Sequence, residues 1–402
     1  MYRRQFVRYR GRSTSSPKEA RVHLINEFSL NVPDVDIADL HNRLEKSRFV
    51  EASDQVPWAA GTDPSYLRQL VARWIDGFDW RGVERRLNGY RHFLADVGDH
   101  PLHFVAIGAV TAPGSLVVPI ILNHGWPSAF TEMLPLAERL SNPAAFGHPT
   151  DVVFDVVIPS LPGFLYSGLP RAPLTREAIA DDLHELMHDV LGHERYAAFG
   201  GDIGGGAACW LGAKYDRHVI GVHLVHPPRP AAVAPPTSGE EEAFLAWGVE
   251  YDRADGGYSE IMLTRPDTIA AALVDSPTGL LAWIVDKYRD WSDCQGDLSR
   301  RFDPDDLLEV ASLYWFTGSI ATSFRQYYDW YRSRPRPTIT APVGVTLSTE
   351  PSMRGFPRSL AERACSDLRF WHEPGKGGHF LAIEEPDIVA RDIREFFLNT
   401  AR

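Results

Sequence analysis

Four short apolar runs most constrain how this chain can fold: SLVVPIILN, VVFDVVIPS, RYAAFGG and VIGVHLVH, each followed by a change to helical pattern or to a break. Runs rich in Val and Ile, without polar alternation, suit strands covered on both faces, the condition of a parallel sheet flanked by helices. The stretch after Pro173 shows such a helix: Ile179, Leu183, Leu186, Met187 and Val190 recur at helical spacing, with Thr175 as N-cap and Gly192 as the stop. Upstream, YRHFLADVGDHPLHFVAIG reads as two extended runs around a Gly-Asp-His turn. Downstream, APVGVTLST and LRFWHEP restore the strand pattern, and EEPDIVARDIREFFLNT closes the chain as an amphipathic helix. The fold class is therefore α/β, with a mostly parallel central sheet.

Three further segments frame that sheet. From about Phe28 to Asn88 the pattern is helical, and Leu67, Leu70, Val71 and Trp74 line one face; this extension and the first part of the core span 24–226. After His226 the regularity breaks at PPRPAAVAPPTSGEEE, and a helical, Trp- and Tyr-rich segment over 227–334 reads as an inserted lid. Residues 335–402 supply the second part of the core. Residues 1–23, beginning MYRRQFVRYRGRSTSSPKEAR, read as a frayed, solvated basic tail with no apolar run for a secretory or membrane segment.

Composition narrows the function. A chain of 402 residues with 44% apolar and 23% charged residues is an ordinary soluble globular protein, long enough for a large core. The net charge of -12 argues against nucleic acid, which wants a concentrated basic surface, and favours a neutral or apolar small molecule. Cys209, Cys294 and Cys365 are widely spaced and odd in number, so neither a disulfide framework nor a CxxC metal site is written here, and the cytoplasm is the expected location.

Three motifs carry chemistry. Phe199-Gly200-Gly201-Asp202-Ile203-Gly204-Gly205-Gly206 falls between a strand and a helix, where small residues permit a tight turn that exposes the central side chain, here Asp202. Alone, the run would serve equally as a Gly-rich loop; its spacing is not GxGxxG and no GK[ST] comes after it. His124-Gly125-Trp126-Pro127 ends SLVVPIILN, where an α/β-hydrolase places the loop of its oxyanion hole, though alone it could be a packed turn. Gly377-Gly378-His379-Phe380 precedes the last helix, which makes His379 the candidate catalytic histidine among 15.

Together these motifs closely resemble the microsomal-type epoxide hydrolases, members of the α/β-hydrolase fold with an N-terminal helical extension. The resemblance runs from about Phe28 onward through FSLNVPDVDIADLHNRLEKSRF, FDWRGVERRLN, ILNHGWP, VIPSLPGFLYSG, FGGDIGGG, GGYSEIMLTRPDTIAAALVDSPTGLLAWI, YWFTGSIATSFRQYYDW and GGHFLAIEEPDIVARDI. It implies a lid with two tyrosines that bind and protonate the epoxide oxygen, here Tyr258 and Tyr327, with Tyr328 leaving the register open by one residue. It also implies no metal and no organic cofactor. Two departures stand out. Ile203 follows the nucleophile where the family commonly has an aromatic residue. The family's Phe-Pro-x-acid pattern is replaced by Ser348-Thr349-Glu350, and the later Phe356-Pro357-Arg358-Ser359 carries no acid in that place. Glu350 is the assigned triad acid because it follows VGVTLST at a strand end, at the family's spacing from His379; Asp367 is the weaker substitute.

The expected reaction opens an epoxide to a vicinal diol through an aspartyl ester on Asp202. His379, oriented by Glu350, activates water, the backbone N–H groups of Trp126 and Ile203 hold the oxyanion, and His124, Trp126, Tyr258 and Tyr327 contact substrate. A haloalkane dehalogenase-like hydrolase is the rival, since it shares the aspartyl ester but needs no acid; a non-catalytic ligand-binding relative is the other. Trp283, Trp291, Trp315 and Trp330 suggest a bulky or aromatic substrate. The oligomeric state stays open, a homodimer being one reading.

Overall fold

A computed structural model describes residues 23–230 and 235–401. The basic tail read over 1–23 lies outside the described residues except for His23. The described strands are β1 (Ile25–Phe28), β2 (Arg91–Val97), β3 (His100–Ile107), β4 (Leu116–Asn123), β5 (Val152–Pro159), β6 (Tyr196–Gly200), β7 (Val219–Leu224), β8 (Val343–Thr346) and β9 (Leu368–His372). They form one sheet in the order β1-β2-β3-β5-β4-β6-β7-β8-β9. The first three strands and the β3–β5 pair run antiparallel, while β5, β4, β6, β7, β8 and β9 are parallel.

The four apolar runs become the centre of this sheet because helices cover both of its faces. Every residue of β6, β7 and β8 is buried. Ile120 of β4 pairs with Val156 on one side and Ala197 on the other, so side chains there meet apolar neighbours all round. The carboxyl ends of β4, β6, β7 and β8 lie side by side, the usual place for a site in such a sheet.

The extension is more mixed than its helical pattern suggests. Helices form at Asp34–Glu45, Pro64–Asp76 and Trp80–Leu87, but Ile25–Phe28 adds an edge strand to β2, and 46–63 is irregular. Helix Pro64–Asp76 starts where Asp63 accepts from the N–H groups of Ser65 and Tyr66, and it buries Leu67, Leu70, Val71 and Trp74 as expected. The Trp74 indole N–H donates to Ser312 Oγ at 3.0 Å, on helix Pro304–Thr317 of the segment between β7 and β8. The extension therefore clamps the inserted helices, which run from Gly239–Asp255 to Arg325–Tyr328.

The helix after Pro173 is capped by Thr175 as the sequence predicts, but its regular α-helical part ends at His184 and a π-helical stretch covers Glu185–Val190. Its wider turn keeps Leu186, Met187 and Val190 all buried before Gly192 turns the chain at φ +76°. No single helix among the described residues is long and apolar enough to cross a membrane.

Candidate active site

The turn from β6 into helix Asp202–Lys214 puts Asp202 at φ +48°, a left-handed conformation that costs a non-glycine residue on the order of 1–3 kcal/mol. The glycines around it allow the crossing. A Cβ on Gly200 would sit 2.5 Å from the Gly204 carbonyl, and one on Gly204 would sit 2.3 Å from the Asn123 carbonyl oxygen at the end of β4. The run is thus a strained elbow and not a loose Gly-rich loop. The main-chain N–H of Trp126 donates to Asp202 Oδ1 at 3.1 Å, so the loop after β4 already grips one carboxylate oxygen.

His379 and Glu350 meet beside it. Glu350 ends the segment after β8, and its Oε2 is hydrogen-bonded by His379 Nδ1, while Ser352 donates to Oε1. The His379 main-chain N–H donates to the Trp291 carbonyl oxygen at 2.8 Å, which fixes the ring's backbone. Burial works against both charges, yet the two histidines facing Glu350, His226 and His379, hold its carboxyl well below the usual range. Conversely, burial opposes an imidazolium at His379, but Glu350 and then Asp202 outweigh it and raise the ring above its ordinary value. Asp367 is not part of the site: it pairs with Arg369 at 2.8 Å on the surface.

Tyr258 and Tyr327 close the site from the inserted helices. The Tyr258 ring stacks on Trp126 with centroids 5.4 Å apart at 6°, and Tyr327 meets Trp126 edge-on at 6.0 Å. The two tyrosines lie 6.3 Å apart. Burial, followed by the Asp202 carboxylate, lifts the Tyr258 phenol above its ordinary value, and burial does the same for Tyr327. Tyr327 lies on the site side of this helix, whereas Tyr328 is 43% exposed and lies under the Arg332 guanidinium, so its ring faces away.

Other expectations need correction. His124, read as a substrate contact, spends both ring nitrogens on backbone: Nδ1 on the Gly125 carbonyl at 2.9 Å, and Nε2 accepting from Leu161 N–H at 3.1 Å. Burial pushes it down to about 4, which keeps that neutral arrangement. It supports the loop and offers substrate no hydrogen bond. Of the four tryptophans, Trp291 reaches the site, 5.1 Å from Tyr258 and 4.8 Å from His379. Trp315 and Trp330 instead lie beneath Arg43 and Arg176. Ile203 is fully buried behind the elbow.

Two residues at the site went unnoticed in the sequence. His226 follows β7, and its Nδ1 accepts from the Asp202 main-chain N–H at 2.6 Å. Glu132, bonded by Ser128, lines a small cavity together with Asp202, His226 and His379, and burial pushes its carboxyl up to about 7. Position after a central strand could have flagged His226; nothing local flags Glu132. His226, Glu350 and His379 present donor atoms within 4.8 Å of one another, a set that suits a transition metal by composition. With His226 Nδ1 accepting from Asp202, however, the ring's other nitrogen carries the proton and has no lone pair for a metal.

Comparison with known proteins agrees with this geometry. The family "Epoxide hydrolase N terminus" matches residues 25–133, and "alpha/beta hydrolase fold" matches 118–386. A Stigmatella aurantiaca protein is 36% identical over 380 residues, covering 93% of this chain and 84% of its own length. Epoxide hydrolase 1 of Sus scrofa is 30% identical, covering 95% and 90%. The crystal structure of juvenile hormone epoxide hydrolase from the silkworm Bombyx mori superposes with a TM-score of 0.85 at 25% identity, covering 96% of each chain. Since the matches span the extension, the core and the inserted helices alike, the chain belongs to the epoxide hydrolase family of the α/β-hydrolase fold.

Proposed function

We propose that this enzyme opens an epoxide to a vicinal diol in two covalent steps on Asp202. The Trp126 N–H holds Oδ1, which leaves Oδ2 to attack an epoxide carbon. The ring C–O bond breaks, and Tyr258 or Tyr327 delivers a proton to the departing oxygen. An alkoxide is a poor leaving group, so nucleophile and acid must act together. The product is an alkyl ester of Asp202 and a tyrosinate.

Water then attacks the ester carbonyl carbon while His379 takes its proton. Alkylation removes the Asp202 charge that, after Glu350, helped raise His379, so the ring gives up part of its extra proton affinity and is more readily available as base. The oxyanion rests on the N–H groups of Trp126 and Ile203, each worth about 3 kcal/mol by analogy with measured oxyanion donors. On collapse the ester C–O bond breaks, protonated His379 returns its proton to the departing alkoxide to free the diol, and the proton of the regenerated Asp202 carboxyl is lost as the tyrosinate regains one.

The observation that carries this reading is Asp202 itself, held at the strained elbow against the Trp126 N–H. A substrate with bulky or aromatic groups suits the Trp126, Tyr258, Tyr327 and Trp291 rings around it. Three buried, unpaired cysteines favour a reducing compartment, the cytoplasm. The test is a single turnover in oxygen-18 water: label should enter the Asp202 carboxylate, and the diol should stay unlabelled. Label in the first-turnover diol would show direct attack by water and overturn the covalent route.

A further inference from the structure

We propose that His226 is a positioning residue that ties the main chain of the nucleophile to the triad acid and holds Glu350 on its line to His379 during ester hydrolysis. This rests on the reading of Asp202, Glu350 and His379 as the catalytic set. A backbone N–H always donates, so the 2.6 Å bond from Asp202 N–H fixes His226 Nδ1 as an acceptor and puts the ring proton on Nε2. Nε2 lies 3.2 Å from Glu350 Oε2, an electrostatic contact short of a full hydrogen bond. That oxygen is the one His379 Nδ1 engages. Two imidazoles, with centroids 4.7 Å apart, therefore flank a single carboxylate oxygen.

The sequence makes room for this. A Cβ on Gly201 would come within 2.7 Å of Val225 and 3.2 Å of His226 Nδ1, so glycine there lets the ring close on the elbow. The charged and titratable groups around His226 are Asp202, Glu350 and His379, with Glu132 lining the same cavity and Arg229 adding positive charge toward Glu350. The His226 N–H favours the ionised form of Glu350 and draws on the oxygen that attracts the His379 proton. Removing it leaves Glu350 freer to swing from His379 and leaves the elbow N–H without its acceptor.

Two variants and one measurement on the unaltered enzyme test this. His226→Phe keeps a ring but neither polar atom, whereas His226→Gln keeps an acceptor and a donor. In single turnovers with an aryl epoxide, followed by intact mass, His226→Phe should slow ester hydrolysis about 10- to 100-fold with alkylation changed far less, the range for orphaning a buried hydrogen-bonding group. Its acid limb for hydrolysis should move to lower pH, because a Glu350 that swings from His379 no longer raises that ring's hold on its proton. His226→Gln should recover most of both effects. Imidazole nitrogen-15 NMR of the unaltered enzyme, with the His226 signal assigned by its loss in His226→Gln, should show the Nε2–H tautomer even if His226→Phe fails to fold. An Nδ1–H tautomer would overturn the proposal. So would an unchanged hydrolysis rate and pH profile in His226→Phe, or equal loss of both steps with no recovery in His226→Gln. If the unaltered enzyme forms no ester at all, the fault lies with the nucleophile reading and this inference falls with it.

Discussion

At the scale of single residues, Trp126 joins the two halves of the chemistry. Its main chain holds Asp202, and its ring stacks on Tyr258 and meets Tyr327 edge-on. Phenylalanine at either tyrosine keeps those ring contacts and removes only the acid. Tyr258→Phe and Tyr327→Phe should each slow alkylation about 100- to 10,000-fold, the usual worth of a positioned acid, and the double variant should be essentially inactive. Tyr328→Phe should match the unaltered enzyme, since that ring faces Arg332. Pre-steady-state alkylation rates, measured beside halide release from a matching haloalkane, decide the matter. Halide needs no proton, so a dehalogenase would keep its turnover in both single variants.

At the scale of elements, the extension serves the site through helix packing and not through contact with it. Helix Pro64–Asp76 buries Trp74 and bonds its indole to Ser312 on helix Pro304–Thr317. Arg73 pairs with Asp305 at 2.8 Å across the same seam, although both side chains are about half exposed and add little. Trp74→Phe should cost about 1–2 kcal/mol through the orphaned Ser312 hydroxyl and the lost volume, and Trp74→Ala about 3–5 kcal/mol. Chemical denaturation provides the measurement. Because Trp74 packs on the inserted helices and not on the elbow, single-turnover alkylation by folded Trp74→Phe should match the unaltered enzyme; a collapse in alkylation without loss of stability would contradict this division of labour.

At the scale of the whole molecule, buried ionisable groups shape stability against pH from both sides. His92 and His103 contact each other at 3.0 Å in the core, and burial lowers both from 6.5. Their unfolded forms bind protons first, so the stability they confer is present above 6.5 and is lost as pH falls below it. Glu132 and Asp182 act in the opposite sense. Burial raises each to about 7, so their contribution is present below the ordinary carboxylate range and is lost as pH rises through about 7. The two trends oppose each other between about 4.5 and 7, where native Glu132 keeps a proton that the unfolded chain has lost; Glu132→Gln, whose amide cannot ionise, should remove that downward share and let stability rise more steeply with pH over the same window. Thermal melts across the pH range check this; a slope between about 4.5 and 7 unchanged in Glu132→Gln would remove Glu132 as a contributor.

The parallel centre of the sheet, the elbow at Asp202 and the place of His379 were written in the sequence, because apolar runs, small residues around an acid and spacing to the last helix are local properties. The edge strand Ile25–Phe28 was not, since its residues are mostly exposed and only pairing with β2 makes them a strand. Choosing Glu350 over Asp367, and Tyr327 over Tyr328, required neighbours far away in the chain: His379 for one, and Trp126 against Arg332 for the other. His124 looked available until Leu161 and Gly125 took its ring nitrogens. His226 and Glu132 carry no motif, and only the adjacency of β6, β7 and the loop after β4 brings them to Asp202. Local pattern sets which elements form, whereas which polar atoms remain free for chemistry depends on partners that only the packed sheet and its inserted helices supply.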